Sequence, residues 1–294
     1  MDGLIALNKP SGMTSFQAVG KVRRAVGEKK AGHCGTLDPF AEGVLLILVG
    51  RATRLAEDLA AQGKEYLAEV QFGLMTDTLD VWGKELEREG PKLFSRESLC
   101  SALTLFIGKQ DQIPPAYSAI KKGGVPLYRY ARAGIEVKLE PRSVEITEIS
   151  LVSENLPHSA AFRVSCSKGT YIRSLCRDIA ASLGTIGVMS SLTRIKSGDF
   201  SIENSHTLEE VESAAQDGRI QDLAVDCLSL LPQLPKLALT KEMHDKILKG
   251  AEIDAPEADG IANGSKLCLV YGGRLAAIAS KKNGRIHAQK VLGL

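Results

Sequence analysis

The chain has 294 residues, 44% of them apolar, and its 37 basic and 35 acidic side chains nearly cancel. This length can bury the core of one large domain and still leave room for a small second one. The sequence opens with no charged and apolar leader and contains no run of about 18 apolar residues, so we expect a cytoplasmic protein without a membrane span. Its six cysteines form no C-x-x-C pair and lie at no metal-ligand spacing from a histidine, which argues against a zinc site.

Positive charge is unevenly distributed along the chain. Residues 236–294 contain ten basic and six acidic side chains, a balance of +4, whereas the rest of the chain has 27 and 29. Residues 109–142 contain seven basic and three acidic side chains, interleaved with Tyr117, Tyr128 and Tyr130. Clustered positive charge with aromatic rings is typical of surfaces that bind a phosphate backbone and unstacked bases. Solvated surface charge explains each cluster equally well, so the pattern supports RNA binding without establishing it.

The first elements are indicated by a capping signal and by apolar spacing. Thr14 and Gln17 have the form of a capping box, and apolar residues follow them at helical spacing. The uninterrupted apolar run 44–49 predicts a fully buried strand, and the alternating segment 65–72 predicts a strand whose inner face includes Tyr66. The predicted elements are a strand over 3–7, a helix over about 15–26, a strand over 44–49, a helix near 52–61 and a strand over 65–72.

A glycine-rich loop, residues 30–43, leads into the buried strand and carries the carboxylate of Asp38. Because the strand behind it is buried, the loop must lie against the core. Pro39 restricts the backbone on one side of Asp38, and the glycines let a bulky ligand approach closely. Asp38 is therefore a candidate for chemistry, although an aspartate before proline can also simply accept backbone N–H groups in a turn.

The middle of the chain contains a basic insertion, residues 121–141, with a short helical piece at 127–133 and little apolar surface. We expect it to be mobile without a partner, as long functional loops are. A helix then opens near Tyr171, with apolar residues on one side and Arg173 on another face. The other predicted elements are a helix capped by Ser95, strands over 143–151 and 160–166, a strand over 192–202 and a helix behind a capping box that begins at Thr207.

A proline-rich segment, residues 231–235, interrupts all periodicity and marks the predicted domain boundary. We place a large domain over residues 1–233 and a small one over residues 234–294. Turn dipeptides of the hairpin type predict that the small domain is rich in strands. Its predicted elements are a helix over about 241–249 and hairpins that turn at 272–273 and 283–284.

The loop that carries Asp38 is one of several motifs that occur in a fixed order. It reads Gly32-His33-Cys34-Gly35-Thr36-Leu37-Asp38-Pro39, and this string resembles the G-H-x-G-T-L-D-P motif of the TruB family of tRNA pseudouridine synthases. In that family the aspartate of the motif is the essential catalytic residue. Ordered matches elsewhere argue against a chance resemblance. They are residues 7–12, 63–66, 73–80, 113–121 and 166–173.

The resemblance implies an α+β pseudouridine-synthase fold, with a mixed, largely antiparallel sheet flanked by helices and a small, β-rich, PUA-like RNA-binding domain. Residues 1–233 would be the catalytic domain, with residues 121–141 as an RNA clamp, and residues 234–294 the PUA-like domain. The implied reaction converts uridine 55 in the T-loop of tRNA to pseudouridine: the nucleotide is flipped out, its C1′–N1 bond is broken, and the base is rejoined through C5.

No redox step or added group is needed for this isomerisation, so no cofactor and no metal are expected. The absence of a dinucleotide fingerprint and of a P-loop from the sequence agrees with this. The expected partner is the T-stem-loop of tRNA. We expect a monomer that has no obligatory protein partner.

The resemblance assigns catalysis to three residues. Asp38 would either add covalently to the sugar or base or remove a ribose proton, and the sequence leaves these routes open. Arg173 would hold that carboxylate ionised and aimed, although by itself it looks like an ordinary helix-surface arginine. Tyr66 would stack on the flipped base and accept the C5 proton, whereas its alternation with apolar residues would equally suit a core tyrosine.

Four further positions match residues that bind the substrate or RNA in the family. His33 would enter the T-loop where the displaced nucleotides stood, as a flat ring can do by stacking. Tyr171 and Leu192 would line the base pocket, and Lys9 belongs to a turn beneath the site. Without the resemblance, His33 would be read as an exposed loop residue and Leu192 as plain core.

The chain departs from the family pattern at two positions. Cys34 occupies a variable place beside His33, and this change should matter little. Thr193 stands where the family often has a second arginine, which puts phosphate or ion-pair contacts near the pocket in doubt.

Two other classes of function remain open from sequence alone. One is a tRNA-binding or tRNA-folding chaperone that keeps the fold without catalysis, and the other is a guide-RNA-dependent synthase that works inside a protein complex. The presence of Asp38, Tyr66 and Arg173 favours an enzyme. The insertion over residues 121–141 favours a stand-alone one, because the guided relatives generally lack it.

Overall fold

The computed structural model describes residues 1–258 and 260–293. Its strands are β1 (Gly3–Lys9), β2 (Ala31–His33), β3 (Glu42–Val49), β4 (Lys64–Phe72), β5 (Leu74–Thr76), β6 (Glu85–Arg88), β7 (Gly108–Gln112), β8 (Lys121–Lys122), β9 (Val125–Pro126), β10 (Arg142–Asn155), β11 (Ser159–Cys166), β12 (Gly187–Ser197), β13 (Phe200–Ser201), β14 (Lys236–Ala238), β15 (Ile253–Asp254), β16 (Lys266–Tyr271), β17 (Arg274–Lys282) and β18 (Arg285–Val291). Its α-helices are α1 (Ser15–Val26), α2 (Ala56–Ala60), α3 (Arg96–Thr104), α4 (Leu127–Arg132), α5 (Ile172–Ser182), α6 (Leu208–Gln216) and α7 (Lys241–Leu248). Short 3₁₀ helices span Gly50–Leu55, Ile202–Asn204, Ile220–Leu223 and Pro256–Ala258.

The central sheet is built from the first thirteen strands, apart from two small separate hairpins. Its strands pair in the order β1, β3, β12, β4, β11, β10 and β7, with β2 added to β3 and β13 added to β12. These pairs are antiparallel, except that β3 and β12 run parallel. The predicted mixed, largely antiparallel sheet is therefore confirmed.

Strand β3 lies at the centre of the core, as its unbroken apolar sequence predicts. Residues 44–49 have no exposed surface. Successive side chains of a strand point to opposite faces, so β3 contributes to two hydrophobic clusters. Its odd-numbered residues pack with α1 residues such as Val19 and Val22, and its even-numbered residues pack with Leu55, Leu59 and residues of the C-terminal strands.

Both predicted capping boxes are present. The Thr14 side chain accepts from the N–H of Gln17 at the start of α1, and Thr207 accepts from the N–H of Glu210 at the start of α6. In each pair the N3 side chain accepts in turn from the backbone N–H of the capping threonine. These reciprocal hydrogen bonds satisfy donors that a helix start otherwise leaves free.

The second sheet, called here the C-terminal sheet, has the strand order β14, β16, β17, β18 and β15. The two hairpins that turn at 272–273 and 283–284 are confirmed, as β16–β17 and β17–β18. Both residues of each turn have positive φ, 55° and 75° in the first and 51° and 80° in the second. This is the backbone of a tight hairpin turn, which glycine and asparagine adopt readily.

The C-terminal sheet shares a hydrophobic cluster with the central sheet. Cys268, Leu275, Ile278 and Leu292 belong to the same buried cluster as the even-numbered residues of β3. Ion pairs reinforce this contact, because Asp58 lies 2.7 Å from the ammonium groups of both Lys266 and Lys290. The two sheets are therefore packed together rather than joined only by a linker.

Several predicted boundaries were wrong. The strand predicted over 192–202 spans Gly187–Ser197, because Gly198 adopts a φ of 58° and turns the chain before the short strand β13. The helix predicted near 52–61 is a 3₁₀ helix followed by the five residues of α2. Over residues 1–258 and 260–293, no helix is long and apolar enough to cross a membrane.

Candidate active site

A cavity of about 980 Å³ opens between the loop that carries Asp38, the strands β4 and β12, and the start of α5. We call it the central cavity. Of the residues predicted for the site, five line it and two do not. The five are Asp38, Tyr66, Tyr171, Arg173 and Leu192.

The loop around Asp38 is tied to the first elements of the chain. Ser15 accepts from the N–H of Leu37 at 2.8 Å and donates to its carbonyl at 2.9 Å. On the other side of the aspartate, the ammonium of Lys9 donates to the Pro39 carbonyl at 3.3 Å. The carboxylate is thus held by backbone contacts on both sides and projects into the central cavity.

Arg173 contacts Asp38 side-on. Its Nε lies 3.0 Å from Oδ2 of the carboxylate, and its terminal NH2 group donates to Oδ1 at 3.3 Å. Two parallel contacts between a guanidinium and a carboxylate fix both the distance and the orientation of the pair. Arg173 is buried, at 6% exposure, so it is not the helix-surface arginine that its sequence alone would suggest.

The remaining N–H groups of Arg173 bind the far wall of the cavity. They donate to the carbonyls of Thr78 at 2.8 Å and Tyr117 at 2.9 Å, and NH1 lies 3.6 Å from Oδ2 of Asp80. Asp80 is itself held, because its Oδ1 accepts from the Thr78 hydroxyl at 2.7 Å and from the Trp82 N–H at 3.1 Å. The guanidinium therefore lies between two carboxylates on two different loops.

Burial and charge act on Asp38 in opposite directions. Burial raises the pKa of its carboxyl, Arg173 lowers it, and the negative charge of Asp80 raises it again. The pKa remains above the ordinary value of 3.8, so Arg173 offsets only part of the desolvation. An aspartate in this position is a stronger base than an exposed one.

Tyr66 lies on β4 directly opposite Arg194 of β12. Burial raises the pKa of the Tyr66 phenol, and the nearby Arg194 charge opposes that shift. The phenol is therefore protonated near neutral pH, with a cation next to its oxygen. Such a group can accept a proton on oxygen only as its own proton leaves.

Arg194 was not identified from the sequence. It is 1% exposed, lines the central cavity, and donates to the carbonyls of Val44 at 2.6 Å and Gly35 at 3.2 Å. A Cβ at Gly43, whose φ is 98°, would overlap the Arg194 carbonyl, so only glycine fits beside it. The signal was available, since Leu192 and Arg194 are two apart on one strand and must share a face.

The two residues predicted to line the base pocket, Tyr171 and Leu192, line the same cavity as Asp38. Tyr171 precedes α5, and its backbone is fixed by Gln112, which accepts from its N–H at 2.8 Å and donates to its carbonyl at 3.1 Å. Burial raises the pKa of the Tyr171 phenol, which keeps it neutral. Leu192 is buried on β12 and faces the same cavity, whereas the Thr193 hydroxyl points away and donates to Glu42 at 3.3 Å.

His33 and Lys9 do not line the central cavity. Lys9 is fully buried and also donates to the carbonyls of Pro10 at 2.8 Å and Met13 at 2.7 Å, and its burial lowers its pKa to about 8. Burial and the Arg194 charge lower the pKa of His33, so its ring is neutral near pH 7. Beside it, burial raises the pKa of the Cys34 thiol to about 12, which makes that thiol a poor nucleophile.

The basic insertion forms part of the cavity wall. Its predicted helical piece is α4, from which Tyr128 and Arg132 line the cavity, with the Arg132 guanidinium 5.7 Å from the centre of the Tyr128 ring. Positive charge predominates around the cavity, where two aspartates face six basic side chains. These are Lys64, Arg132, Arg142, Lys168, Arg173 and Arg194.

Comparison with known proteins agrees with this geometry. Residues 23–172 match the model for the TruB family pseudouridylate synthase N-terminal domain, and residues 173–230 match that for the tRNA pseudouridylate synthase B C-terminal domain. The chain is 40% identical over 285 residues to tRNA pseudouridine synthase B of Geotalea uraniireducens, which covers 95% of this chain and 91% of that protein. It is 42% identical over 262 residues to tRNA pseudouridine synthase B of Bacillus subtilis, covering 87% and 85%.

A solved structure shares the fold. A chain in the crystal structure of a Cbf5-Nop10-Gar1 complex superposes with a TM-score of 0.74 at 24% identity, covering 99% of this chain and 84% of that one. At this level of identity the likeness shows the fold alone. The family models and the sequence relatives place the chain in the TruB family of pseudouridylate synthases.

Proposed function

We propose that the chain converts uridine 55 in the T-loop of tRNA to pseudouridine. The observation that carries the proposal is the side-on contact between Arg173 and Asp38 at the wall of a large, basic cavity. Relatives about 40% identical over most of the chain have the name tRNA pseudouridine synthase B, which supports tRNA as the substrate.

The central cavity suits a nucleotide that has left its stack. A volume of about 980 Å³ falls at the upper end of the range for small-molecule sites and leaves room for a base, its ribose and flanking phosphates. The target atoms of a stacked uridine are inaccessible, so the nucleotide must be flipped out before any reaction. The exposed basic side chains at the cavity, Arg132, Arg142 and Lys168, would compensate the phosphate charges.

Asp38 is the proposed catalytic carboxylate. The C1′–N1 bond breaks, uracil turns over while it is held, C5 bonds to C1′, and C5 loses its proton. Asp38 can assist either by adding covalently or by removing a ribose proton, and both routes start from the ionised form. Arg173 keeps the carboxylate oriented, while burial makes it more basic than an exposed aspartate.

Tyr66 is proposed to stack on the base and to relay the C5 proton. Because burial keeps the phenol protonated, its oxygen would accept the C5 proton while its own proton leaves to solvent, so the net charge at the ring stays constant. N1 of the base, which lost its bond to C1′, takes up a proton from solvent, and the isomerisation balances. The Arg194 guanidinium beside it lowers the pKa of the phenol and would favour the departure of the phenol's own proton as the C5 proton arrives.

The other predicted site residues have supporting roles in this proposal. Tyr171 and Leu192 shape the base pocket, and neutral His33 is available to stack where a nucleotide has left the T-loop. Lys9, predicted among the RNA-binding residues, would act indirectly by holding the Pro39 carbonyl next to Asp38.

We further propose that residues 1–233 form the catalytic domain, with residues 121–141 as the RNA clamp, and residues 234–294 a PUA-like RNA-binding domain. The placement of Tyr128 and Arg132 in the cavity wall supports the clamp. The protein would work in the cytoplasm as a monomer that needs no other protein and no cofactor.

The test is treatment of an unmodified tRNA transcript with the pure protein, followed by carbodiimide modification and primer extension. A stop at uridine 55, obtained without any cofactor or guide RNA, is expected. A transcript with cytidine at this position is the control. If tRNA binds and no pseudouridine forms, the protein is a binding or folding factor instead; a product that requires a guide RNA would place it with the guided enzymes.

A further inference from the structure

Two aromatic rings stack beside the central cavity, which one of them, Phe40, lines. The rings of Phe40 and Trp82 have centroids 4.1 Å apart and planes inclined by 13°. Each ring comes two residues after a carboxylate that faces Arg173, because Phe40 follows Asp38 and Trp82 follows Asp80. The stack therefore joins the two acidic loops next to the cavity.

The two rings differ in their surroundings. Phe40 is half-buried, packs against the main core and lines the cavity. Trp82 is 58% exposed and belongs to none of the hydrophobic clusters among residues 1–258 and 260–293. Phe40 covers one face of the indole, so the exposed area includes the other face. Phe40 thus supports a large, flat, open aromatic surface beside the catalytic groups.

The position of this surface favours RNA as its occupant. It stacks on Phe40, which lines the cavity, and that lining has six basic and two acidic side chains. Flipping one nucleotide leaves the bases next to it without a stacking neighbour on one side. An exposed aromatic ring can replace that neighbour, and proteins that bind single-stranded RNA commonly use rings in this way.

We infer that Trp82 stacks on an unpaired base of the RNA next to the flipped uridine. This inference rests on the proposed function and adds a substrate contact outside the catalytic groups. The backbone N–H of Trp82 holds Asp80, and the side chain extends from the same loop toward solvent. A base stacked on Trp82 would therefore lie next to the loop that carries Asp80, outside the catalytic groups.

The chain offers a direct spectroscopic test, because Trp82 is its only tryptophan. Its fluorescence is measured while an unmodified T-stem-loop RNA is added to the full-length protein, and binding is followed separately by filter retention. As the protein becomes saturated with RNA, we expect the tryptophan emission to fall and the quencher acrylamide to lose access to the indole. The measurement is repeated with a series of RNAs, each of which has one abasic nucleotide at a different position. When the missing base is the one that stacks on Trp82, at a position next to the target uridine, the emission and the acrylamide access should return to the values of the free protein.

Variants separate base stacking from a purely structural role. Trp82→Ala should raise the Kd for the RNA about 5- to 150-fold, the range expected when one base–aromatic stack is removed, with kcat unchanged. Trp82→Phe should retain part of the affinity. Leu93→Ala, which removes another exposed apolar side chain, at 90% exposure, is the matched control and should change neither constant.

Two results would overturn the inference. One is unchanged emission and acrylamide access in the wild-type protein at saturating RNA, a measurement that does not depend on any variant folding. The other is a Trp82→Ala protein with lowered kcat and unchanged Kd, which would confine the ring pair to positioning Asp38 and Asp80. Pseudouridine formation without shielding of Trp82 would reject this inference alone, whereas shielding without pseudouridine would reject the proposed function alone.

Discussion

The basic side chains of the central cavity and those of the C-terminal sheet differ in their burial and in their partners. At the cavity, Arg173 and Arg194 are buried, and their N–H groups donate to carbonyls and a carboxylate of neighbouring loops. Behind the loop that carries Asp38, the buried Lys9 donates to the Pro39 carbonyl. In the C-terminal sheet, Lys266 and Lys290 remain partly exposed and pair with acidic side chains of helix α2. Positive charge holds neighbouring loops together at the cavity, and in the C-terminal sheet it pairs with carboxylates of the helix packed beside it.

This difference shows how little a charge count says about RNA binding. The balance of +4 in residues 236–294 predicts an attractive surface for phosphates. Yet four of its ten basic side chains form ion pairs with carboxylates in the described part of the chain: Lys246, Lys266, Arg285 and Lys290. A cation that already has a carboxylate partner gains less binding free energy from a phosphate. The basic side chains without a carboxylate partner should therefore contribute most to any RNA contact.

The largest effect expected is that of Asp38→Asn, which tests whether the cavity is the catalytic region. It should lower the rate of pseudouridine formation by at least about 10⁴-fold, because an amide can neither attack nor accept a proton. The rate is measured in a single turnover, and tRNA affinity, measured by filter retention, should stay within error. Turnover near the wild-type rate would refute the assignment of Asp38.

Tyr66→Phe tests the proposed proton relay. The ring and its stacking remain, but the hydroxyl is lost, so product formation should slow by about 10³-fold with little change in Kd. The comparison uses the same single-turnover and binding assays. An active variant would limit Tyr66 to stacking.

Arg173→Lys asks whether the geometry of the buried cation matters as well as its charge. A point ammonium cannot reproduce the side-on contact to Asp38 while also reaching the Thr78 and Tyr117 carbonyls. Misplacement of the carboxylate should cost about 10²-fold in kcat. Lys266→Arg, an exchange in the opposite sense at an exposed pair of the C-terminal sheet, is the control and should be fully active.

The pH dependence of kcat/KM tests the electrostatics of the two carboxylates. The raised pKa of Asp38 means that activity should fall as the pH drops, at a pH above the ordinary aspartate value of 3.8. Asp80→Asn removes a negative charge that raises this pKa, so the acidic limb should move to lower pH. An unchanged or upward-shifted limb would contradict the proposed influence of Asp80.

The smallest effect concerns the unpaired charges of the C-terminal sheet and its flanks. Lys249, Arg274 and Lys282 have no ion pair within residues 1–258 and 260–293. Replacing each by Gln should reduce the slope of log Kd against log salt by about 0.7 to 0.9 for each phosphate that the side chain neutralises. The paired Lys290→Gln serves as the comparison and should change the slope less. Equal slopes for all variants would show that this region binds something other than tRNA.

Sequence patterns identified the parts of the site that depend on local motifs. Asp38, Tyr66 and Arg173 were named from motifs, and the fold brings all three to one cavity. Asp80 and Arg194 were not predicted as site residues, because their contacts at the cavity are with residues far away in the chain. Asp80 lies 93 residues before Arg173, with which its carboxylate pairs. Arg194 lies 150 residues after Val44, to whose carbonyl its guanidinium donates.

The same limit applies to the fold. Capping boxes and hairpin turns depend on neighbouring residues and were predicted closely. The contact between the two sheets was not, because nothing in Cys268, Ile278 or Leu292 distinguishes a side chain that packs within its own sheet from one that packs on another. A truncation near Pro235, which the sequence suggests as a clean cut, would expose this shared cluster to water.

The hydrophobic cluster shared by the two sheets, and the ion pairs of Asp58 with Lys266 and Lys290, fix the position of one sheet relative to the other. This fixed position has a consequence for the binding of RNA. If residues 234–294 bind RNA as proposed, the two binding surfaces are joined by a rigid body rather than by a flexible tether. Once one surface is occupied, the other meets its part of the RNA at a high effective concentration, but only if the RNA spans the fixed distance between them. Tight binding would then depend on the length of the RNA stem. An RNA with the right loop on a stem of the wrong length would contact only one of the two surfaces.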